Sequence, residues 1–308
     1  MNNSRFFRNF FVVLALMLFG YLVFPKYCKT YLCKSIDSTY TVDANSEIIE
    51  LVAQNMLNKR FAVYGAKLSS IDTELDTNFN GTVSITDSTN IKFTRRANNA
   101  LSIEIERSDN LYVAHLYDSS NKKLLSQPEF LEIYIDSLDE KLKKGYQHIF
   151  PISGLAQIGK MVESIKYKEI PANLKKGEFT MQVLTSDENT YTTLSTTKLL
   201  SGDELKFNTN YTSKRPGQGL IMVNNEIGGL DITYRIKAHE AIIVKSGPKS
   251  ENNYGYITST THFDKFINNR IVESLTILLS LLLILTTIAT FIYDTISFFT
   301  NSQKKDNE

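Results

Sequence analysis

The sequence is poor in the features that announce an activity. Its 308 residues include only two cysteines and four histidines, and 34 basic against 33 acidic side chains leave a net charge of +1. Charges so evenly matched and interspersed argue against nucleic acid as a partner. No two histidines stand at metal-ligand spacing, and His239-Glu240 lacks the second histidine of an H-E-x-x-H site. There is no G-x-S-x-G elbow; Ser153-Gly154 and Ser201-Gly202 read as ordinary cap and turn pairs. Phosphate-cradling glycine patterns are missing as well. Arg215-Pro216-Gly217-Gln218-Gly219 is glycine-rich, but it lies between strand-like segments with no following helix start to hold an anion. It reads as a hairpin loop and a candidate binding loop. Nothing in the sequence requires a cofactor.

The two cysteines, Cys28 and Cys33, are spaced too widely for a C-x-x-C redox pair and lack metal-binding neighbours. In an oxidising compartment they would close a small disulfide loop. Two unpaired or lipidated thiols beside a membrane are the alternative. Carboxylates are plentiful: Glu104, Glu106, Asp109, Asp136, Asp139, Glu140, Asp203 and Glu204. Two of them across a cleft would make an acid/base pair, but the sequence selects none. Glu104 and Glu106, alternating with Ile103 and Ile105, look like the solvated face of a sheet.

Against these absences stand two charge-free apolar runs. Residues 274–293 (SLTILLSLLLILTTIATFIY) match the roughly 20 helical residues that cross a hydrocarbon core of about 30 Å. Residues 10–24 (FFVVLALMLFGYLVF) reach that length only with Phe6, Phe7, Asn9 and a snorkelling Arg8. A cleaved signal peptide would share the basic Arg5 and Arg8, but Phe24-Pro25-Lys26-Tyr27 offers no small-x-small cleavage site. The expected layout is a cytoplasmic tail (1–8), a first span (9–25), a juxtamembrane segment (26–44), a folded exoplasmic part, a second span (272–293) and a cytoplasmic tail (294–308). Arg5 and Arg8 at one end, and Lys304 and Lys305 at the other, favour both termini in the cytoplasm. The folded part then lies in the periplasm or outside the cell. No ionisable group sits at mid-span, which argues against a transport pathway. Ser280, Thr286, Thr287 and Thr290 could hydrogen-bond across helices or back to their own helix.

Between the runs, residues 47–61 (EIIELVAQNMLNKRF) place Ile48, Leu51, Val52, Met56 and Leu57 on one helical stripe, with Asn45 or Ser46 as cap. From about 82 to 125 the period becomes two, and turn-prone pieces separate the runs of an antiparallel meander. Ser126-Gln127-Pro128-Glu129 opens a second helix in which Phe130, Tyr134, Leu138 and Leu142 step by four; Gly145 ends it. A third helix is expected over 154–166. From 178 to 261, short strand-like segments follow at 179–184, 191–194, 204–209, 220–223, 230–236, 241–244 and 254–259. The expected fold class is an α+β exoplasmic domain: an antiparallel sheet with helices (45–170), then a small β-sandwich-like part (171–264), between two transmembrane helices. Whether the two parts are separate domains or one core stays open. Asn80-Gly81-Thr82 and Asn210-Tyr211-Thr212 are glycosylation triplets in a eukaryotic setting.

The two-span layout is similar to that of bacterial polysaccharide co-polymerases, which also place a large periplasmic domain between terminal spans. Residues 263–270 (FDKFINNR) hold no proline where that family has a Pro-rich segment, and the region between the spans is strand-rich where theirs has long helices. The resemblance covers the layout and implies no activity. The function expected is that of a non-enzymatic, membrane-anchored envelope protein. Its exoplasmic domain would bind a protein or envelope component, and its paired spans would hold it in the bilayer and support homo-oligomers. Two other readings are an accessory subunit of a membrane transport or polymer-assembly complex, and a membrane-tethered hydrolase using paired carboxylates. Only 15 residues follow residue 293 in this sequence, so a signal would pass through the spans to a separate membrane partner.

Overall fold

Strands dominate the described residues ahead of the C-terminal helices. The computed structural model of the protein describes residues 28–56, 59–70, 73–95, 100–109, 111–118, 124–136, 148–159, 174–184, 190–209, 216–224, 228–245 and 255–305. Among these, a π-turn at Cys28–Leu32 leads into nineteen strands. They are β1 (Ser35–Ile36), β2 (Ser38–Ser46), β3 (Ile48–Ala53), β4 (Arg60–Ser70), β5 (Thr73–Ile85), β6 (Asn90–Arg95), β7 (Leu101–Glu106), β8 (Ala114–Asp118), β9 (Leu124–Ser126) and β10 (Leu131–Ile135). Then come β11 (Ile149–Ile158), β12 (Leu174–Leu184), β13 (Tyr191–Leu199), β14 (Glu204–Asn208), β15 (Gly217–Asn224), β16 (Gly229–Ala238), β17 (Glu240–Val244), β18 (Gly255–Thr258) and β19 (Thr260–Thr261). Helices α1 (His262–Ile267) and α2 (Arg270–Lys305) follow. The chain forms two compact units: a β body of Ser35–Leu184 with Thr193–Thr260, and a second unit that contains α1 and α2.

Seventeen of the strands belong to one hydrogen-bonded sheet, and β1 pairs with β19 apart from it. Among the described residues the registers are antiparallel. One run of neighbours goes β8, β5, β4, β10, β7, β6, β3, β11. It continues through β15, β16, β2 and β12. A side branch leaves β11 through β14, β17 and β18. Most of the long strands turn one face inward. Leu131, Ile133 and Ile135 of β10 are fully buried, as are Leu101, Ile103 and Ile105 of β7. Their β-branched and aliphatic side chains fit a pleated, one-sided surface. Phe150 of β11 meets Phe61 of β4 edge-on at 5.1 Å and Phe93 of β6 at 5.5 Å. Deeper along the sheet Phe207 of β14 lies 5.8 Å from both Tyr40 of β2 and Tyr234 of β16. Each such pair adds about 0.5–1.5 kcal/mol beyond the area it buries. All of these residues belong to one continuous apolar core.

Strand β11 changes partner at Gly154, which pairs with Gly217 of β15 on one stretch and Ala53 of β3 on the next. Its φ of +148° is one that side chains rarely adopt, and a Cβ there would lie 2.0 Å from the Val52 carbonyl oxygen. A methyl at Gly217 would lie equally close to the Tyr234 hydroxyl. Gly217 thus admits the buried Tyr234 phenol at the switch, and Gly154 admits the Val52 carbonyl of the neighbouring strand.

The expected α+β class is overturned: the protein is mostly β-sheet, and among the described residues one helix is long and apolar enough to span a membrane. The helix expected at 47–61 is β3 and the start of β4. The one expected over 126–145 is β9 and β10 where it is described, and the one at 154–166 begins inside β11. Residues 57–58, 137–147 and 160–166 of those segments lie outside the described residues. No separate sandwich follows residue 171 either, because β12 and β15 pair with β2 and β11 of the preceding part. The physical reason is long-range pairing. Ile48-Ile49 and Leu51-Val52 are apolar doublets compatible with either period, and the facing strands β6 and β11 impose a period of two.

Helix α1 opens with a capping box, in which Thr261 and Asp264 each accept from the other's backbone N–H. Within α2, Val272–Ile292 is an apolar window of mean hydropathy 2.5, none of it buried. Its hydroxyls bond back to their own helix: Ser280 Oγ donates to the Thr276 carbonyl at 2.8 Å and Thr287 Oγ1 to the Leu283 carbonyl at 2.7 Å. The first expected span, 9–25, lies outside the described residues.

Candidate functional site

The outer face of the sheet carries an open groove of about 430 Å³, lined by residues of β3, β6, β7, β11 and β14. Its floor follows from register. Gln157 of β11 faces Glu50 of β3, Glu50 faces Lys92 of β6, and Lys92 faces Glu104 of β7. The row continues to Glu132 of β10. One step along the strands a second row runs Leu155, Val52, Asn90, Glu106. The inward neighbours of these residues (Leu51, Ile91, Ile103, Ile105) are core, which fixes the floor side chains outward. Lys92 Nζ donates to Glu104 Oε2 at 3.0 Å, and its other cross-strand neighbour, Glu50, is also acidic. Ser102 donates to Glu132 Oε1 at 3.0 Å.

A buried polar corner holds the β14 wall. The Glu204 side chain is 5 % exposed and pairs with Lys206, and its Oε1 accepts from Gln157 Nε2 at 3.0 Å. Next to it, Asp203 accepts from Lys245 Nζ at 2.6 Å and from the Leu200 N–H at 2.8 Å. Buried carboxylates need such pairing, and removing one partner leaves an expensive buried charge. The groove therefore presents a rigid surface that is apolar at Val52 and Leu155 and charged at Glu50, Lys92, Glu104 and Glu106. Chemically it suits an extended ligand that answers both rows.

A second polar cluster lies at the joint of β16 and β17. Ser35 Oγ and His239 Nε2 are 2.6 Å apart, and His239 Nδ1 is 3.6 Å from Asp37 Oδ1. Register explains the meeting. Ser38 faces Ala238 in the β2–β16 ladder, so Asp37 falls beside His239 and Ser35 lies on Asp37's side of an extended chain. The His239 backbone N–H is tied to the Asn208 carbonyl at 3.0 Å.

The candidate binding loop is largely strand. Gly217, Gln218 and Gly219 lie in β15, Pro216 precedes it half-buried, and Arg215 is outside the described residues. Its glycines are explained by close packing, since a Cβ at Gly219 would lie 2.3 Å from the Thr233 carbonyl oxygen. Cys33 is exposed, and the side chain of Cys28 is outside the described set. Of the carboxylates singled out from sequence, Glu104 and Glu106 share the groove, and Asp203 and Glu204 its buried corner. Asp109 pairs with Arg107 at 2.5 Å, and the guanidinium holds its carboxyl below the ordinary carboxylate range. Asp136 pairs with Lys67 at 3.4 Å; Asp139 and Glu140 are outside the described residues. The histidines do not converge. His115 is on β8 beside Tyr112, His148 stacks on Phe150, and His262 opens α1. Among the described residues no group of three His, Cys, Asp or Glu side chains could hold a metal ion.

Sequence reasoning passed over the Ser35–Asp37–His239 cluster because its members are 204 residues apart. Only the strand register carries that signal. It likewise missed Glu50, Lys92 and Gln157, two of which lay in segments read as helix or its flank. No protein-family model, no curated protein and no solved structure matches the chain.

Proposed function

We propose that the protein is a membrane-anchored binding module whose β body holds an extended segment of a protein or envelope component in the groove across β11, β3, β6 and β7. The observation that carries this reading is the in-register row Gln157–Glu50–Lys92–Glu104 beside the apolar pair Val52–Leu155. A fixed pattern of charge and apolar surface on a rigid sheet gives specificity through placement, with little ordering cost on the protein side. Glu104 is engaged by Lys92, and Glu204 by Lys206 and Gln157, which favours binding over proton transfer at these two carboxylates. Anchoring is assigned to Val272–Ile292, whose exposed apolar surface and self-bonded hydroxyls suit lipid.

The finer topology belongs to the same proposal. The β body lies on the non-cytoplasmic side, residues 10–24 act as a further anchor, and both termini face the cytoplasm. Arg5, Arg8, Lys304 and Lys305 support that orientation. The test is affinity purification from native membranes with full-length wild type and with Val52→Arg and Lys92→Glu, each checked for an unchanged unfolding temperature. A partner recovered with wild type and lost from both variants is the expected result. Equal recovery with all three would overturn the groove as the binding surface.

A further inference from the structure

We propose that Ser35, His239 and Asp37 form a nucleophile–base–orienter relay, and that the protein transfers acyl groups from carboxylic esters to Ser35 and on to water. The site is separate from the groove, and the inference does not rest on the groove's function. It departs from the expectation that this chain lacks a catalytic constellation.

Three observations carry it. Ser35 Oγ lies 2.6 Å from His239 Nε2, within reach for direct proton transfer. The opposite ring nitrogen, Nδ1, is buried without a hydrogen bond and faces Asp37 Oδ1 at 3.6 Å. That distance is long for a hydrogen bond; such contacts commonly tighten only when substrate is bound. Third, the cluster is neither sealed nor open. The side chains of His239 and Asp37 are 21 % and 28 % exposed and Ser35 is half-buried, so the cluster as a whole is partly open to solvent. A buried imidazole nitrogen aimed at a carboxylate, with the other nitrogen on a serine hydroxyl, is the division of labour that activates serine on unrelated folds. Asp37 orients the ring and keeps the Nδ1 proton, which leaves Nε2 as the base. Asp37 is therefore a positioning residue.

The chemistry balances without any group beyond water. Ser35 Oγ attacks the carbonyl carbon while its proton passes to His239 Nε2. The ester C–O bond breaks and the leaving alcohol takes that proton. Water then attacks the acyl-Ser35 carbonyl and gives its proton to Nε2. The Ser35–acyl bond breaks, Ser35 Oγ recovers the proton, and the free acid departs. Net, ester and water become acid and alcohol. A fluorophosphonate stops after the first half: the P–F bond breaks, the Oγ–P bond forms, fluoride leaves and the proton goes through Nε2 to solvent.

The experiment uses the full chain in detergent micelles. A fluorophosphonate probe is added, the modified residue is located by peptide mass spectrometry, and p-nitrophenyl butyrate hydrolysis is followed. Modification at Ser35 is expected, with label and hydrolysis lost in Ser35→Ala and slowed at least about a hundredfold in His239→Gln. The labelling rate of wild type should follow the ionisation of a single group, and this dependence should vanish in His239→Gln. Asp37→Asn should slow labelling and hydrolysis while leaving the unfolding temperature near that of wild type. A folded wild-type protein that takes no label at Ser35 overturns the proposal, whatever the variants do. So does labelling whose rate and pH dependence are unchanged in His239→Gln, which would reduce the cluster to a structural latch. Neither outcome bears on partner recovery through the groove.

Discussion

The Tyr234 hydroxyl donates to the Gly154 carbonyl at 2.6 Å and accepts from the Ala156 N–H at 3.2 Å. One phenol thus bridges the point where β11 passes from β15 to β3. Tyr234→Phe removes a buried donor and orphans a buried N–H, so it should cost about 1–3 kcal/mol. Gly154→Ala meets backbone at a distance no rotamer change relieves and should cost about 3 kcal/mol or more. Urea unfolding of the two variants checks both figures. A Gly154→Ala protein as stable as wild type would remove the proposed switch.

Alkaline pH gives an independent handle on the same residue. Burial pushes the phenols of Tyr234 and Tyr40 well above their ordinary value of 10.0. A pKa raised in the folded state means that the fold holds the proton more tightly than the unfolded chain does. The stabilisation is whole below about pH 10 and is lost progressively as pH rises above it. Denaturation midpoints should fall as pH rises above about 10, and less so in Tyr234→Phe. Tyrosinate absorbance should show a fraction of the 16 tyrosines ionising only with unfolding.

The lipid-facing reading of α2 makes a sharp demand on its middle. Leu283 is 69 % exposed within the apolar window. Leu283→Arg places a charge there at about 2.5–3.5 kcal/mol on insertion scales. The protein should shift toward the fraction released by alkaline carbonate, whereas Leu283→Ile should stay in the membrane pellet. Identical partition of the two would contradict a bilayer around this helix.

For the two cysteines, a pair in an oxidising compartment predicts no alkylation of the native protein until reductant is added. Intact mass after maleimide treatment, with and without reductant, reads this directly. Two adducts before reduction would rule out the Cys28–Cys33 bond.

The strands from 179 onward were legible because turn residues separate them, and in β12 and β16 polar and apolar residues also alternate. Leu230, Ile232, Tyr234, Ile236 and Ala238 are the buried set of β16, and each sits two residues from the next. The misread helices share one cause. Phe130, Tyr134, Leu138 and Leu142 satisfy a four-step stripe, while Leu131, Ile133 and Ile135 satisfy a two-step one; only pairing with β4 and β7 decides for the second. The groove was half visible. Glu104 and Glu106 declared an outward face, but their partners Lys92, Glu50 and Gln157 come from strands whose adjacency no local pattern encodes. The same holds for Gly217 and Gly219, whose loop-like chemistry conceals a need for close packing against Tyr234 and Thr233.

Strand β2 is hydrogen-bonded on one side to β12 and on the other to β16, and its Asp43 lies 190 residues from Thr233 across the second ladder. A ribosome adding about 5–20 residues per second would leave that edge waiting roughly 10–40 s for its last neighbour. Assembly with partners so distant in sequence is slow for entropic reasons, and the waiting edge is a template for wrong pairing. Biogenesis of this protein should therefore depend on a holding chaperone during synthesis, and its yield should fall most sharply for mutations in β16, the last strand needed to close β2.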